Sequence, residues 1–177
     1  ELQKYDTDFG AAYGPLIQLP SVATSVVIPY KKAGTTNLNL TSAQLCQAFS
    51  GAATTWGQLL GTADATPIRV VYRNTSSGTT EILSRHLNSI CPTQFAVSTS
   101  FTSARLPAGP TLPANFVGVA FTGDVITQVN AVDGTIGYVG PDGANASSNA
   151  VVARVNGVQP TSGNVNAALA SLPLPSN

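Results

Sequence analysis

The chain has 177 residues, with eight Lys or Arg against eight Asp or Glu, one histidine and no methionine. That length suffices for a real hydrophobic core and fits one domain, or one lobe of something larger. Charged residues make up only 9%, so no global field steers the protein toward nucleic acid or an anionic membrane surface, and no apolar run approaches the roughly 20 residues that cross a bilayer.

Ser, Thr, Asn, Gly, Ala and Val are abundant and Lys is scarce, a balance common in exported proteins. Glu1 does not begin a signal peptide, so the chain reads as mature or excised. The N-x-S/T sequons at Asn39, Asn74 and Asn145 are what chance gives a chain so rich in these residues. Cys46 and Cys91 permit a single disulfide, and two buried thiols satisfy the same count.

Residues 1–14 show no clean period and read as a leading arm or short helix, ahead of a single α/β unit over 15–177. Ala23–Tyr30 is a β-branched strand with Pro29 near its end, where a missing N–H is tolerated. A helix follows, with Thr41 or Ser42 as N-cap, Leu45, Cys46 and Phe49 on one face and Gly51 as its stop. TTWGQLLG is a second helical turn, and Pro67–Tyr72 is the near-continuous apolar run of a strand inside a parallel sheet.

From about Ser77 to Ile90 the spacing predicts a helix with Ile82, Leu83, Leu87 and Ile90 on one face and Glu81 paired with Arg85. FAVSTSF is another strand candidate, RLPAGPTLPANF a proline-rich surface loop, and TGDVITQVNAVDG a helix ending at Gly134. TIGYVG and VVARVNG supply two short strands, and a short helix precedes a proline-punctuated tail. The alternation predicts an α/β domain with a mostly parallel central sheet flanked by helices.

In such a sheet ligands gather where strands end and helices begin, because the first helical N–H groups are unpaired and the macrodipole is positive there. RNTSSGTT, after the strand PIRVVY, occupies that place. Gly78 allows close backbone approach, Ser77 and Thr79 offer hydroxyls, and Arg73 can present a planar fork to two oxyanion oxygens. The bland alternative is that Ser76 or Ser77 only caps the helix while Arg73 pairs with a carboxylate.

No Gly-Lys-Ser/Thr follows, which disfavours a nucleotide phosphate loop. His86 lies nine residues after Ser77, more than two helical turns away, so a Ser-His-Asp triad is disfavoured and no catalytic residue is assigned. One histidine and two separated cysteines imply no metal site and no cofactor. Asp64, Asp124, Asp133 and Asp142 sit among turn residues and form no evident pair; Trp56 reads as a packing anchor rather than a stacking platform. Tyr30, Lys31 and Lys32 read as a solvated strand end.

Taken together, LIQLPSVATSVVIPYKKAG, LTSAQLCQAFSGAATTWGQL, PIRVVYRNTSSGTTEILSRHLNSIC and GTIGYVGPD resemble, in order and spacing, the phosphate-binding proteins of bacterial high-affinity uptake, and especially their DING subgroup. The resemblance runs from about residue 15 to the C-terminus. It implies one lobe of a type II periplasmic-binding-protein fold, periplasmic or secreted, binding inorganic phosphate without chemistry and serving a membrane ABC transporter. Position by position, Arg73, Ser77, Gly78 and Thr79 fall on the family's R-x-x-x-S-G-T phosphate loop, and Cys46 and Cys91 on cysteines that pair in DING relatives.

In that family a complementary lobe, built from segments that have no match in this sequence, supplies further donors and a proton-accepting carboxylate. The resemblance therefore implies half a site and weak binding in isolation. The alternative from another class is a stand-alone extracellular interaction or adhesion module that keeps the loop as a vestige.

Overall fold

The computed structural model describes residues 2–14, 23–107, 111–144 and 151–171. Residues 2–14 are chiefly a helix, α1 (Leu2–Tyr13), along which Tyr5, Phe9 and Tyr13 meet as tilted rings at i, i+4 spacing with centroids 5.7 and 6.5 Å apart. The strand expected over Ala23–Tyr30 is an extended segment. It makes isolated bridges at Val27 and Pro29 and becomes a ladder only in β1 (Tyr30–Lys31).

After β2 (Asn39–Leu40) comes α2 (Ser42–Ser50), capped by Thr41. The Thr41 hydroxyl accepts the Gln44 N–H and the Gln44 side chain takes the Thr41 N–H in return, at 3.1 and 2.8 Å. Gly51 ends the helix in the left-handed region, φ 79°. Helix α3 (Trp56–Leu60) repeats the device with Thr55 and Gln58. Its Trp56 is fully buried and donates its Nε1–H to the Gly134 carbonyl at 3.0 Å, so it is the packing anchor expected.

β3 (Arg69–Arg73) leads into α4 (Gly78–Ile90), then the short α5 (Phe101–Ala104), β4 (Phe116–Val119) and α6 (Thr122–Ala131). β5 (Thr135–Gly137), a 3-10 turn over Pro141–Gly143, β6 (Arg154–Val155) and α7 (Ser162–Ala170) complete the described chain.

The main sheet has the order β1-β5-β3-β4, with β3 parallel to both β4 and β5 and only β1 antiparallel. β2 and β6 form a separate parallel pair. Alternation along β3 divides the core: Val70 joins Phe49, Leu83, Leu87 and Ile136 on the face covered by α2 and α4, whereas Val71 joins Val125 and Val129 of α6 on the other. The architecture is the α/β fold, mostly parallel and helix-flanked, that the element order predicts.

Several expectations need correction. FAVSTSF is no strand: Ser98 N–H donates to Ser84 Oγ at 3.1 Å, Ser84 Oγ–H donates to the Ser98 carbonyl at 3.1 Å, and Ser100 N–H goes to Ser98 Oγ. Hydroxyls take the backbone groups that a ladder would have used. The strand in this region is instead β4, unassigned from sequence, where Gly118 leaves room for Tyr72; a Cβ there would lie 2.9 Å from the Tyr72 hydroxyl.

On α4, Leu83 and Leu87 are buried but Ile82 and Ile90 are largely exposed, so its apolar face is narrower than the periodicity suggests. The basic cluster is a solvated strand end only at Lys31, which is exposed; Tyr30 is buried. The Lys32 side chain is only 8% exposed and pairs with Asp64 at 2.9 Å, while Lys31 Nζ donates to the Asn130 carbonyl. The tail beyond residue 171 and the sequon at Asn145 lie outside the described residues.

Candidate functional site

The three parallel strands aim their carboxyl ends at one place. Arg73 ends β3 in register with Val119, the last residue of β4, and β5 runs on to Tyr138 and Gly140 beside them. Two helices begin there, α4 after β3 and α6 after β4, so their N-termini converge.

At α4, Ser77 is the N-cap, with the backbone extended and its Oγ accepting the Thr80 N–H at 3.5 Å. Its own N–H is already given to the Thr99 carbonyl. Ser77 is 8% exposed and keeps only its hydroxyl hydrogen to offer. No described residue accepts the N–H of Gly78 or Thr79, and Gly78 is exposed. Two helical donors therefore point outward beside a positive helix end. The cap and the outward donors coexist in one turn, so neither sequence reading excludes the other.

The Arg73 guanidinium is held from both sides: NH1 donates to Thr122 Oγ1 at 3.2 Å and NH2 to Thr75 Oγ1 at 2.9 Å. Its Nε is buried and has no partner among the described residues. No carboxylate pairs with this fork among the described residues, unlike Lys32 with Asp64 or Arg85 with Glu81. A fork held by neutral hydroxyls keeps its charge uncompensated.

Beneath it, Tyr138 is fully buried. Its phenol oxygen accepts the Arg73 N–H at 3.1 Å and lies 2.7 Å from Thr80 Oγ1. Burial is the main cause raising its pKa above 10.0, so the phenol stays neutral under an arginine.

Beside the loop lies an open cleft of about 560 Å³ lined by Thr79, Thr122, Gly123, Ile126, Gly140, Asp142 and Gly143. Thr122 and Tyr138 are neighbours of Arg73 that sequence reasoning missed. Only the register of β3 with β4 and β5 brings them to Arg73, and no local spacing encodes that. His86 is elsewhere: its Nε2 lies 3.1 Å from Ser42 Oγ, and it is exposed. Cys46 and Cys91 are joined as a disulfide, tying α2 to the far end of α4.

The PBP superfamily domain model matches residues 2–175. The chain is 64% identical over its full length to alkaline phosphatase L of Pseudomonas aeruginosa PAO1, of which it covers 48%. Among solved structures, a high affinity periplasmic phosphate-binding protein (PfluDING) bound with phosphate aligns over 99% of this chain and 50% of its own, at 38% identity and TM-score 0.78. A phosphate-binding protein from Stenotrophomonas maltophilia aligns over 99% and 52%, at 35% identity and TM-score 0.77. The chain thus spans about half the length of the relatives it matches. On a match over nearly its whole length, and with DING proteins among its structural neighbours, the chain belongs to the PBP superfamily.

Proposed function

We propose that residues 15–177 form one lobe of a DING-type phosphate-binding protein and bind inorganic phosphate without chemistry. Arg73, the Ser77 hydroxyl and the N–H groups of Gly78 and Thr79 are its ligands. The observation that carries this reading is the Arg73 fork, held by Thr122 and Thr75 with no carboxylate partner among the described residues, just ahead of a helix start with two unclaimed N–H groups. Such donors match a tetrahedral oxyanion, and an uncompensated cation favours its charge. A periplasmic or secreted location, and delivery to a membrane ABC transporter, follow from the same reading.

The site is open to water on one side, where each charge-assisted bond gains much less than in a closed cleft. Binding by this chain alone is accordingly weak, about millimolar, and a complementary lobe would tighten it. Calorimetric titration with phosphate tests the reading. Heat that saturates in the millimolar range and weakens about tenfold in Arg73→Ala supports it; identical isotherms, or no heat in the wild type, remove the role from this chain.

A second reading, hydrolysis of phosphate monoesters, is favoured by the name of the 64% identical relative. Against it, Ser77 is committed as a helix cap and the chain's one histidine sits with Ser42. Turnover of p-nitrophenyl phosphate that is lost in Ser77→Ala would replace the binding reading with this one. The relatives lend no support to an adhesion module with a vestigial loop.

A further inference from the structure

The turn that carries the unclaimed N–H groups is held from outside its own helix. Ser77 gives its N–H to the Thr99 carbonyl at 2.9 Å, so the backbone of the N-cap is pinned to a later loop. What places that loop is Ser84. Its Oγ accepts the Ser98 N–H at 3.1 Å, and its one hydrogen lies between the Ser98 and Glu81 carbonyls, at 3.1 and 3.0 Å.

A serine inside a helix satisfies its hydroxyl on a carbonyl one turn back, which the Glu81 contact already does. The bonds to both backbone groups of Ser98 come in addition, from a side chain only 2% exposed. Ser84 follows Ser77 by about two helical turns, so it lies below the cap on the same face of α4. Residues 98 and 99 meet that face twice, once at Ser84 and once at Ser77. Phe95 and Phe101 are buried on either side of this segment, while Thr99 is exposed. Packing fixes the ends of the loop, and Ser84 fixes its middle.

We infer that Ser84 is a positioning residue for the anion loop: by clamping Ser98 it sets the Thr99 carbonyl that holds Ser77, and so aims the Ser77 hydroxyl and the N–H groups of Gly78 and Thr79. This rests on the phosphate reading above and adds to it the residue that keeps the loop in place. Ser84 itself touches no phosphate. Without its hydroxyl the Ser77 N–H exchanges a fixed partner for water and the cap loosens. Donors that a bound oxyanion meets already aligned must then be ordered on binding, which lowers affinity.

Amide hydrogen exchange read by NMR, together with phosphate calorimetry, tests this on wild type, Ser84→Ala and Ser84→Thr. Ser84→Ala should speed exchange at Ser77 at least about tenfold, while the Trp56 amide, bonded to the Thr66 carbonyl away from the loop, moves much less. Phosphate affinity should weaken about three- to tenfold, the size of one lost hydrogen bond. Ser84→Thr keeps the hydroxyl and should restore both readings. A merely structural role would speed Ser77 and Trp56 together. Equal acceleration at the two amides, unchanged affinity in Ser84→Ala, or a Ser84→Thr variant no better than Ser84→Ala overturns the positioning role and leaves phosphate binding standing. If Ser84→Ala fails to fold, Ser84→Cys, a weak donor and acceptor of similar shape, reads the same two quantities. No heat with phosphate in the wild type overturns both.

Discussion

The phenol oxygen of Tyr138 receives the backbone N–H of Arg73 at 3.1 Å and meets Thr80 Oγ1 at 2.7 Å. One buried side chain from the end of β5 thereby fixes both the strand end that carries the fork and the first turn of α4. Because the phenol accepts from Arg73, its own hydrogen is free to go to Thr80. Tyr138→Phe leaves both partners buried and unpaired, which costs about 1–3 kcal/mol of stability. Phosphate affinity is expected to fall three- to tenfold in the wild-type background and by less than twofold in Arg73→Ala, as a double-mutant cycle read by calorimetry would show. An equal loss in both backgrounds would make Tyr138 merely structural.

The same phenol gives an alkaline signature. Burial raises its folded-state pKa above the ordinary 10.0, so the folded chain keeps a proton that the unfolded chain releases. The stability this adds is complete below about pH 10 and is lost as pH rises beyond it. Urea unfolding from about pH 9 to 11 should show a steeper decline for wild type than for Tyr138→Phe; parallel declines would refute the assignment.

What could be read from sequence divides along the line between local and non-local structure. Thr41, Thr55 and Ser77 announce helix starts within four residues, and PIRVVY followed by RNTSSGTT announces a strand feeding a helix. The family resemblance added the pairing of Cys46 with Cys91, which spacing alone left open. Thr122 and Tyr138 reach Arg73 across 49 and 65 residues, distances that only sheet register closes. The misread FAVSTSF failed for a related reason: its apolar pattern is real, but Ser84, 14 residues before Ser98, takes the backbone groups. Lys32 likewise looks solvated until the fold brings Asp64 to it.

The disulfide should stabilise the fold without touching the site. Closing a loop across 45 residues removes unfolded-state entropy worth about 4 kcal/mol in the chain-entropy account. It lies at the far end of α4 from Ser77, about 20 Å along a 13-residue helix. Reduction, or Cys46→Ala with Cys91→Ala, should lower the urea midpoint substantially while phosphate affinity changes less than twofold below the transition. A large affinity loss in still-folded protein would show that α4 transmits strain to its start.

Asp64 sets an acid limit. The Thr66 hydroxyl first, then Lys32 and the Thr66 N–H, hold its carboxyl at about 2 against an ordinary 3.8. A depressed folded pKa means that this stability is present above the unfolded value and is lost as pH falls toward 2, when Lys32 keeps its charge beside a neutral partner. Thermal midpoints measured from about pH 5 down to pH 2 should fall more steeply for wild type than for Asp64→Asn. Equal slopes would assign acid lability to other carboxylates.

Thr75 decides where the fork points. Its hydroxyl donates to the Ala120 carbonyl at 3.0 Å, so its lone pair is the part turned toward Arg73 NH2 at 2.9 Å. A hydroxyl with a fixed hydrogen makes a directional acceptor, and the bond holds the guanidinium between β3 and the start of α6 without neutralising it. Thr75→Val keeps the side-chain shape and removes that acceptor. One bond of this kind is worth about 0.5–1.5 kcal/mol, so phosphate affinity should weaken two- to tenfold while the charge of the site is unchanged. Raising the salt concentration distinguishes this from an electrostatic loss. Wild type and Thr75→Val should weaken in parallel with salt, because both keep the same cation, whereas Arg73→Ala should lose most of its salt dependence. Unaltered affinity in Thr75→Val would mean that Thr122 alone orients the fork.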